Sequence, residues 1–139
     1  MKKSKTKNPN ISLRYQQVKD AKRFFKILQS PNFTYFKVQV KSIEEEKKFL
    51  RKNKEKIKNN TEHNFTIIFK NQIVGAIGIM IQKRVYIGEI GYFIDEKNWG
   101  KGIATKAVKL IEEKLHLVKI NPYRFKRIEG YNENLPHLY

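Results

Sequence analysis

Three apolar segments follow one another between residues 65 and 94, and short polar segments separate them. The helical spacing of apolar residues seen earlier in the chain stops at Asn64, and the residues that follow are mainly Ile, Val and Phe. Residues 65–69, 73–81 and 85–94 are therefore predicted strands, with polar turns at residues 70–72 and 82–84. This order predicts a β-meander of three strands.

One short strand and two helices are predicted before the meander. Residues 11–14 alternate apolar and polar side chains like a strand, and Asp20 then begins a helix. The apolar positions of that helix are Ala21, Phe24, Phe25 and Leu28. Ser42 and Glu45 form a capping box for a second helix that extends to Lys58. Its apolar stripe consists of Ile43, Leu50 and Ile57, and its outer face is solvated charge.

A loop and an amphipathic helix follow the meander. The loop covers residues 95–101, and the helix covers residues 103–115. The apolar face of this helix consists of Ala104, Ala107, Val108, Ile111 and Leu115. Residues 125–131 form one more short predicted strand.

The composition is typical of one folded domain. The 139 residues are enough for one hydrophobic core, and 40% apolar residues argue against general disorder. The absence of cysteine excludes disulfides, thiolate metal sites and cysteine nucleophiles. No apolar segment approaches the roughly 20 residues that span a bilayer, and no apolar signal segment follows the basic N-terminus. We therefore expect a soluble, cytoplasmic protein with a flexible basic arm over residues 1–10 and a folded domain over residues 11–139.

The chain is strongly basic. Its 30 Lys and Arg against 13 Asp and Glu give a formal net charge of +17 at pH 7. Such a charge predicts a polyanionic partner, but RNA, a ribosome surface, a membrane face and a phosphorylated cofactor are all attracted by it. Lysine-rich codon usage in a low-GC genome accounts for the same composition, so the charge indicates association and not a particular partner.

The most informative segment lies between the last strand of the meander and the following helix, and it reads Trp99-Gly100-Lys101-Gly102-Ile103-Ala104. Two glycines one residue apart let backbone N–H groups turn inward. The positive end of the following helix adds to them, which forms a cradle for phosphate oxygens. The spacing matches neither a Walker A loop nor the Rossmann glycine pattern, so a P-loop NTPase and a dinucleotide dehydrogenase are disfavoured. An ordinary strand-to-helix turn is the alternative interpretation.

Residues 88–107 resemble the GNAT superfamily of N-acetyltransferases, and most closely the branch of the RimJ and RimL ribosomal-protein acetyltransferases. The pyrophosphate motif of that superfamily reads Gln/Arg-x-x-Gly-x-Gly/Ala, and residues 99–104 fit it with Trp in the first place, as is common in that branch. The order of elements is also similar, so the resemblance covers about residues 11–131. It implies an α/β fold with a mixed, mainly antiparallel sheet flanked by helices, in which the C-terminal strands are reduced or missing.

The resemblance implies a binding site for acetyl-CoA, the acetyl donor. In the family, the strand before the loop runs beside the pantetheine arm through its backbone groups, here those of Tyr92, Phe93 and Ile94. The loop and the first helical turn would hold the pyrophosphate. This second group comprises Trp99 at the edge of the cradle, then Gly100, Lys101, Gly102, Ile103, Ala104 and Thr105.

Glu89 is the candidate general base. On an alternating strand it shares a face with Val85, Ile87, Gly91 and Phe93, and no other acid occurs between Glu62 and Asp95. Acetylation needs a neutral amine, and a carboxylate among apolar neighbours is able to take the ammonium proton directly or through a water. The alternative is a carboxylate at the sheet surface that pairs with Arg84 or another cation.

The C-terminal segment carries two further candidates by resemblance. The family continues with Asn-x-x-Ala/Ser-x-x-Leu-Tyr, and residues 132–139 keep Asn132, Leu138 and Tyr139 at similar spacing. Asn132 is therefore expected to contact the cofactor, and Tyr139 to protonate the leaving thiolate. Pro136 interrupts the expected helix. A missing strand would leave a sheet edge open, which a second copy of the chain would cover as a homodimer.

No metal site is predicted. His63, His116 and His137 lie far apart in the sequence without metal-ligand spacing, so they are interpreted as surface or packing residues.

The resemblance implies transfer of an acetyl group from acetyl-CoA to a primary amine. A protein N-terminus of ribosomal-protein type is the expected acceptor, and the basic charge suits work near RNA. Polyamine and aminoglycoside acceptors are disfavoured because they require acidic pockets, and the chain has few acids outside its second helix. The alternative function is a GNAT-like binding protein without turnover, or a basic module associated with RNA or the ribosome. No membrane partner is expected.

Overall fold

The chain folds into one sheet whose five strands lie side by side in the order in which they occur in the sequence. The computed structural model describes residues 9–33, 41–82, 87–114 and 125–127. The strands are β1 (Ile11–Tyr15), β2 (Glu62–Phe69), β3 (Gln72–Gln82), β4 (Ile87–Ile94) and β5 (Phe125–Arg127). The helices are α1 (Ala21–Leu28), α2 (Ile43–Arg51), α3 (Asn53–Lys58) and α4 (Ile103–Glu112). Short 3-10 turns cover Val18–Asp20, Pro31–Phe33 and Glu96–Asn98.

The predicted meander is confirmed as strands β2, β3 and β4. Strands β1 to β4 pair antiparallel, and β5 pairs parallel to β4 at Gly88, Glu89 and Ile90. The turn between β2 and β3 consists of Lys70 and Asn71, both with a left-handed backbone, at φ of 52° and 63°. Such a two-residue turn matches the twist of the strands that it joins.

Helices cover both faces of the sheet. Alternate residues of β4 point to opposite faces, and Ile90, Tyr92 and Ile94 belong to the hydrophobic cluster that α4 joins through Ile103, Ala107 and Ile111. Phe93 and Ala76 point the other way, into a second cluster with Ala21, Phe24, Ile27, Phe33 and Leu50. The predicted mixed sheet flanked by helices is therefore confirmed.

The predicted second helix is in fact two helices. Its predicted beginning is confirmed, because the Ser42 hydroxyl accepts a hydrogen bond from the backbone N–H of Glu45 at 3.1 Å. Lys52 then ends α2 with a tightened turn, in which its N–H bonds the carbonyl of Phe49 at 3.1 Å. The side chain of Asn53, the first residue of α3, is buried and bonds Gln16 at 2.8 Å.

Other differences concern which residues are buried. The buried stripe of α1 contains Ile27 in place of the expected Phe25 and Leu28, which are half-buried. Helix α4 ends at Glu112, earlier than predicted. The predicted basic arm lies outside the described residues apart from positions 9 and 10, as does the predicted last strand beyond Arg127.

Candidate functional site

The glycine segment forms a left-handed turn at the N-terminus of α4. Gly100 and Gly102 have φ of 80° and 79°, a backbone conformation that L side chains rarely adopt. Gly102 is the N-cap of α4, and no side chain caps the first N–H groups of the helix. These N–H groups and the positive end of the helix are therefore available to an anion.

Trp99 fixes the position of this turn relative to β4. Its indole N–H donates a hydrogen bond of 2.7 Å to the carbonyl oxygen of Ile94, the last residue of the strand. Its ring packs edge-on against Phe33 with ring centroids 6.1 Å apart. Trp99 thus contacts both hydrophobic clusters, one on each face of the sheet.

A cleft of about 220 Å³ opens between the end of β4 and the glycine turn. Eight of the residues that line it were predicted as cofactor-binding residues. They are Tyr92, Ile94, Trp99, Gly100, Gly102, Ile103, Ala104 and Thr105. Asn98 also lines the cleft and was missed, because a polar residue in a polar loop has no distinguishing sequence signal.

Two other predicted cofactor residues lie beside the cleft. Lys101 is exposed, its ammonium bonds Asn98 Oδ1 at 3.0 Å, and it lies 5.9 Å from the centre of the Phe69 ring. The Phe93 side chain is fully buried on the opposite face, so only its backbone is near the strand edge that the sequence prediction invoked. Asn132 lies outside the described residues.

Glu89 lies on the opposite face of β4 from the side chains that line the cleft. It shares the face of Gly91 and Phe93, as predicted, is half-buried, and pairs in register with Met80 of β3. The cleft and the candidate base are therefore on the two sides of one strand. Val85 and Tyr139 lie outside the described residues.

The described histidine has a packing role. His63 is buried, and its Nδ1 lies 2.9 Å from the Tyr15 hydroxyl while its Nε2 lies 2.7 Å from Asn60 Oδ1. Burial lowers the pKa of His63, which favours the neutral ring that this arrangement needs. In the described part of the chain, no group of three His, Cys, Asp or Glu side chains is arranged to hold a metal ion.

An acidic residue that the sequence placed on a solvated face is instead buried. Glu46 of α2 is fully buried, and neither carboxylate oxygen has a hydrogen-bond partner among the described residues. Burial, with a smaller contribution from the charge of Glu45, raises the pKa of Glu46 to about 7.

Family comparison identifies the domain. A model of the acetyltransferase (GNAT) domain matches residues 10–129. The chain belongs to the GNAT family. The matched residues include strand β4, the glycine turn and α4. No match is found among curated protein sequences.

Solved structures share the fold of this GNAT domain. The Salmonella typhimurium acetyl transferase that modifies the N-terminal serine of 50S ribosomal subunit protein L7/L12 is 19% identical with a TM-score of 0.67; the match covers 76% of this chain and 63% of that one. Mycobacterium smegmatis RimJ, in complex with CoA-disulfide, is 17% identical with a TM-score of 0.69, and the match covers 81% of this chain and 59% of that one. Vibrio cholerae spermidine N-acetyltransferase, in complex with CoA and spermine, is 20% identical with a TM-score of 0.59, and the match covers 78% of this chain and 63% of that one. The match spans just under two thirds of the length of these relatives.

None of the helices in the described ranges is long and apolar enough to cross a membrane.

Proposed function

We propose that this protein transfers an acetyl group from acetyl-CoA to the α-amino group of a protein N-terminus. The observation that carries the proposal is the cleft at the junction of β4, the glycine turn and α4 in a chain of the GNAT family. Its uncapped helix N-terminus, two left-handed glycines and neighbouring lysine suit the diphosphate of a coenzyme A thioester.

The residues of the cleft divide into two groups. The amides of residues 100–105 would bind the pyrophosphate, with Lys101 adding charge from outside the cleft. The backbone of Tyr92, Phe93 and Ile94 would bind the pantetheine arm by strand addition, and Asn132 would add a contact to the cofactor. Acetyl-CoA supplies the activated acetyl group when bound.

Two side chains would move protons in the reaction. Glu89 would take one proton from the acceptor ammonium, so that the neutral amine attacks the thioester carbonyl and forms the amide bond. As the C–S bond breaks, the amine nitrogen would lose its second proton to solvent to give the neutral amide, and Tyr139 would give a proton to the departing sulfur and regain one from solvent. Orientation of the amine beside the thioester would supply much of the rate.

Two observations support a protein N-terminus as acceptor. A structural neighbour modifies the N-terminal serine of a ribosomal protein, although another acts on spermidine. The net charge of +17 favours work beside RNA, so we propose a cytoplasmic protein that associates with ribosomes. We also propose that the protein forms a homodimer, and its molecular mass in solution, measured by sedimentation, tests this.

Trp99 is the only tryptophan of the chain and lies at the cleft, so its fluorescence reports on the donor site. We expect saturable binding of acetyl-CoA at near-physiological salt, much tighter than that of tripolyphosphate or ATP. Equal responses to all three anions, or no response, would contradict the donor site.

The acceptor is tested by release of free CoA thiol. Peptides with a free N-terminal Ser, Ala or Met are compared with the same peptides carrying a blocked N-terminus, and with spermidine. We expect turnover only with the free N-termini. Glu89→Gln should lower kcat at least tenfold and leave the Kd of acetyl-CoA within twofold, because the side chain lies on the other face from the cleft. An unchanged kcat would exclude Glu89 as the base.

The net charge supports one other function, a basic RNA-binding module without turnover. Salt-sensitive RNA binding, together with no transfer to any amine, would favour it.

A further inference from the structure

A single arginine on α1 joins that helix to the segment that leads into the glycine turn. Arg23 donates from Nε to the carbonyl oxygen of Ile73 at 3.0 Å and from Nη2 to Asp95 Oδ2 at 2.8 Å. Ile73 belongs to β3 and Asp95 directly follows β4, so the guanidinium bridges two neighbouring strands at the end of the sheet where the cleft opens.

Asp95 transmits this contact to the turn that follows it. Its backbone N–H bonds the carbonyl of Val74 at 2.7 Å, and its own carbonyl accepts the N–H of Asn98 at 2.8 Å. Its second carboxylate oxygen faces the N–H of Lys97 at 3.4 Å. Asp95 is buried, and its carboxylate therefore depends on Arg23 and the Lys97 N–H for compensation of its charge.

Two further contacts join the segment that follows α1 to the turn. The Ser30 hydroxyl hydrogen-bonds the Glu96 carboxylate, and the Phe33 ring packs against Trp99. Asn98 and Trp99, which end this turn, line the cleft.

We propose that Arg23 is a positioning residue for the donor site, and that through Asp95 it holds the turn, Trp99 and the glycine segment in the arrangement that binds acetyl-CoA. This inference rests on the proposed function. Arg23 is not among the residues that line the cleft, and it reaches the turn through Asp95, so its loss affects binding of the donor more than use of the acceptor.

The chain offers matched controls. Arg14 forms an ion pair with the buried Asp20, also at 2.8 Å, and its side chain is 33% exposed against 32% for Arg23. The Arg14 pair has two hydrogen bonds to its carboxylate and the Arg23 pair has one, so Arg14→Gln removes an ion pair at least as extensive, between residues that do not line the cleft. Lys22→Gln removes one exposed charge from α1, the helix of Arg23.

The first readout is the acrylamide quenching of Trp99 fluorescence in the unliganded protein. Arg23→Gln should increase acrylamide quenching of Trp99, because the turn that carries the indole loosens. Arg14→Gln and Lys22→Gln should leave the quenching unchanged, even where Arg14→Gln lowers Tm. Equal quenching in the wild type and Arg23→Gln would overturn the inference without touching the proposed function.

The second readout is binding and turnover. Arg23→Gln should raise the Kd and KM of acetyl-CoA about tenfold and leave the KM of an N-terminal Ser peptide within twofold. Arg23→Lys, which keeps the charge, should recover most of the affinity. In an Asp95→Ala background, where the side-chain partner of Arg23 on the turn is absent, Arg23→Gln should change the Kd less than twofold.

The outcomes separate the two proposals. A wild-type protein that does not bind acetyl-CoA overturns the proposed function and this inference with it. If the wild type binds acetyl-CoA and Arg23→Gln lowers Tm without changing the Kd, the inference alone is overturned. The inference is also overturned if Arg23→Gln changes the Kd by the same factor with and without the Asp95 side chain.

Discussion

The carboxyl group of Glu46 is buried on α2 between the apolar positions Ile43 and Leu50, where a charge has no partner among the described residues. Its raised pKa of about 7, against an ordinary 4.5, means that the folded state keeps the proton over a range in which the unfolded chain has lost it. The free energy of unfolding must therefore fall as pH rises from about 4.5 to 7, and this loss is complete above pH 7.

Glu46→Gln is expected to remove this pH dependence. Each pKa unit corresponds to about 1.4 kcal/mol, so the wild type should lose at most about 3 kcal/mol between pH 4.5 and 7, and the variant should not. Denaturant unfolding from pH 4.5 to 8.5 measures the difference. Glu44→Gln, an exposed change on the same helix, should keep the wild-type slope. Parallel curves for the wild type and Glu46→Gln would show that Glu46 is charged at neutral pH.

At the scale of elements, Gly78 of β3 makes room for a side chain that connects α3 to the sheet. The Asn64 side chain lies over this glycine, and it donates hydrogen bonds to Asn53 at 3.0 Å and to Glu62 at 2.8 Å. A Cβ at position 78 would lie 1.9 Å from Asn64 Oδ1. Asn64 would have to leave, and the buried Asn53 and the half-buried Glu62 would each lose a hydrogen bond.

Gly78→Ala should therefore lower the free energy of unfolding by about 3 kcal/mol. A double-mutant cycle with Asn64→Ala measures the cause, because removal of the obstructing side chain leaves room for the new methyl group. We expect the double variant to be more stable than the sum of the single changes predicts. Additive losses would show that the clash with Asn64 is not the reason.

Local patterns were enough to predict most elements. The meander, the start of α2 at Ser42 and the glycine turn all depend on neighbours a few residues apart, which the sequence displays directly. The break at Lys52 depends on the hydrogen bonds of Asn53 to Gln16 and Asn64, which are distant in sequence. No periodicity reveals such contacts.

The same distinction applies to the candidate site. Glycine adopts positive φ readily, so the glycine turn beside the cleft was predictable from the sequence. The burial of Glu46 and the bridge from Arg23 to Asp95 arise only when helices pack on the sheet. Charged residues on a short helix look solvated until that packing is known.

At the scale of the whole molecule, the net charge of +17 should make donor binding depend on salt. Acetyl-CoA is a polyanion, so we expect its Kd to rise about three- to tenfold between 50 and 300 mM NaCl, as screening shortens the reach of the positive field. S-acetyl-pantetheine, which has no phosphates, is the control and should show little salt dependence. A Kd of acetyl-CoA that does not change with salt would mean that the basic residues lie away from the donor site.

The strands of the sheet lie in chain order, a two-residue turn joins β2 to β3, and four residues separate β3 from β4 in the sequence. Loop closure for β2 with β3, and for β3 with β4, therefore costs little entropy, whereas β1 must reach β2 across the whole helical segment. We expect the meander to pair first during folding, and during synthesis it is complete before β5 has been translated. Strand β4, which carries Glu89 and lines the cleft, is thus assembled early, and the surrounding elements then pack against strands that are already paired.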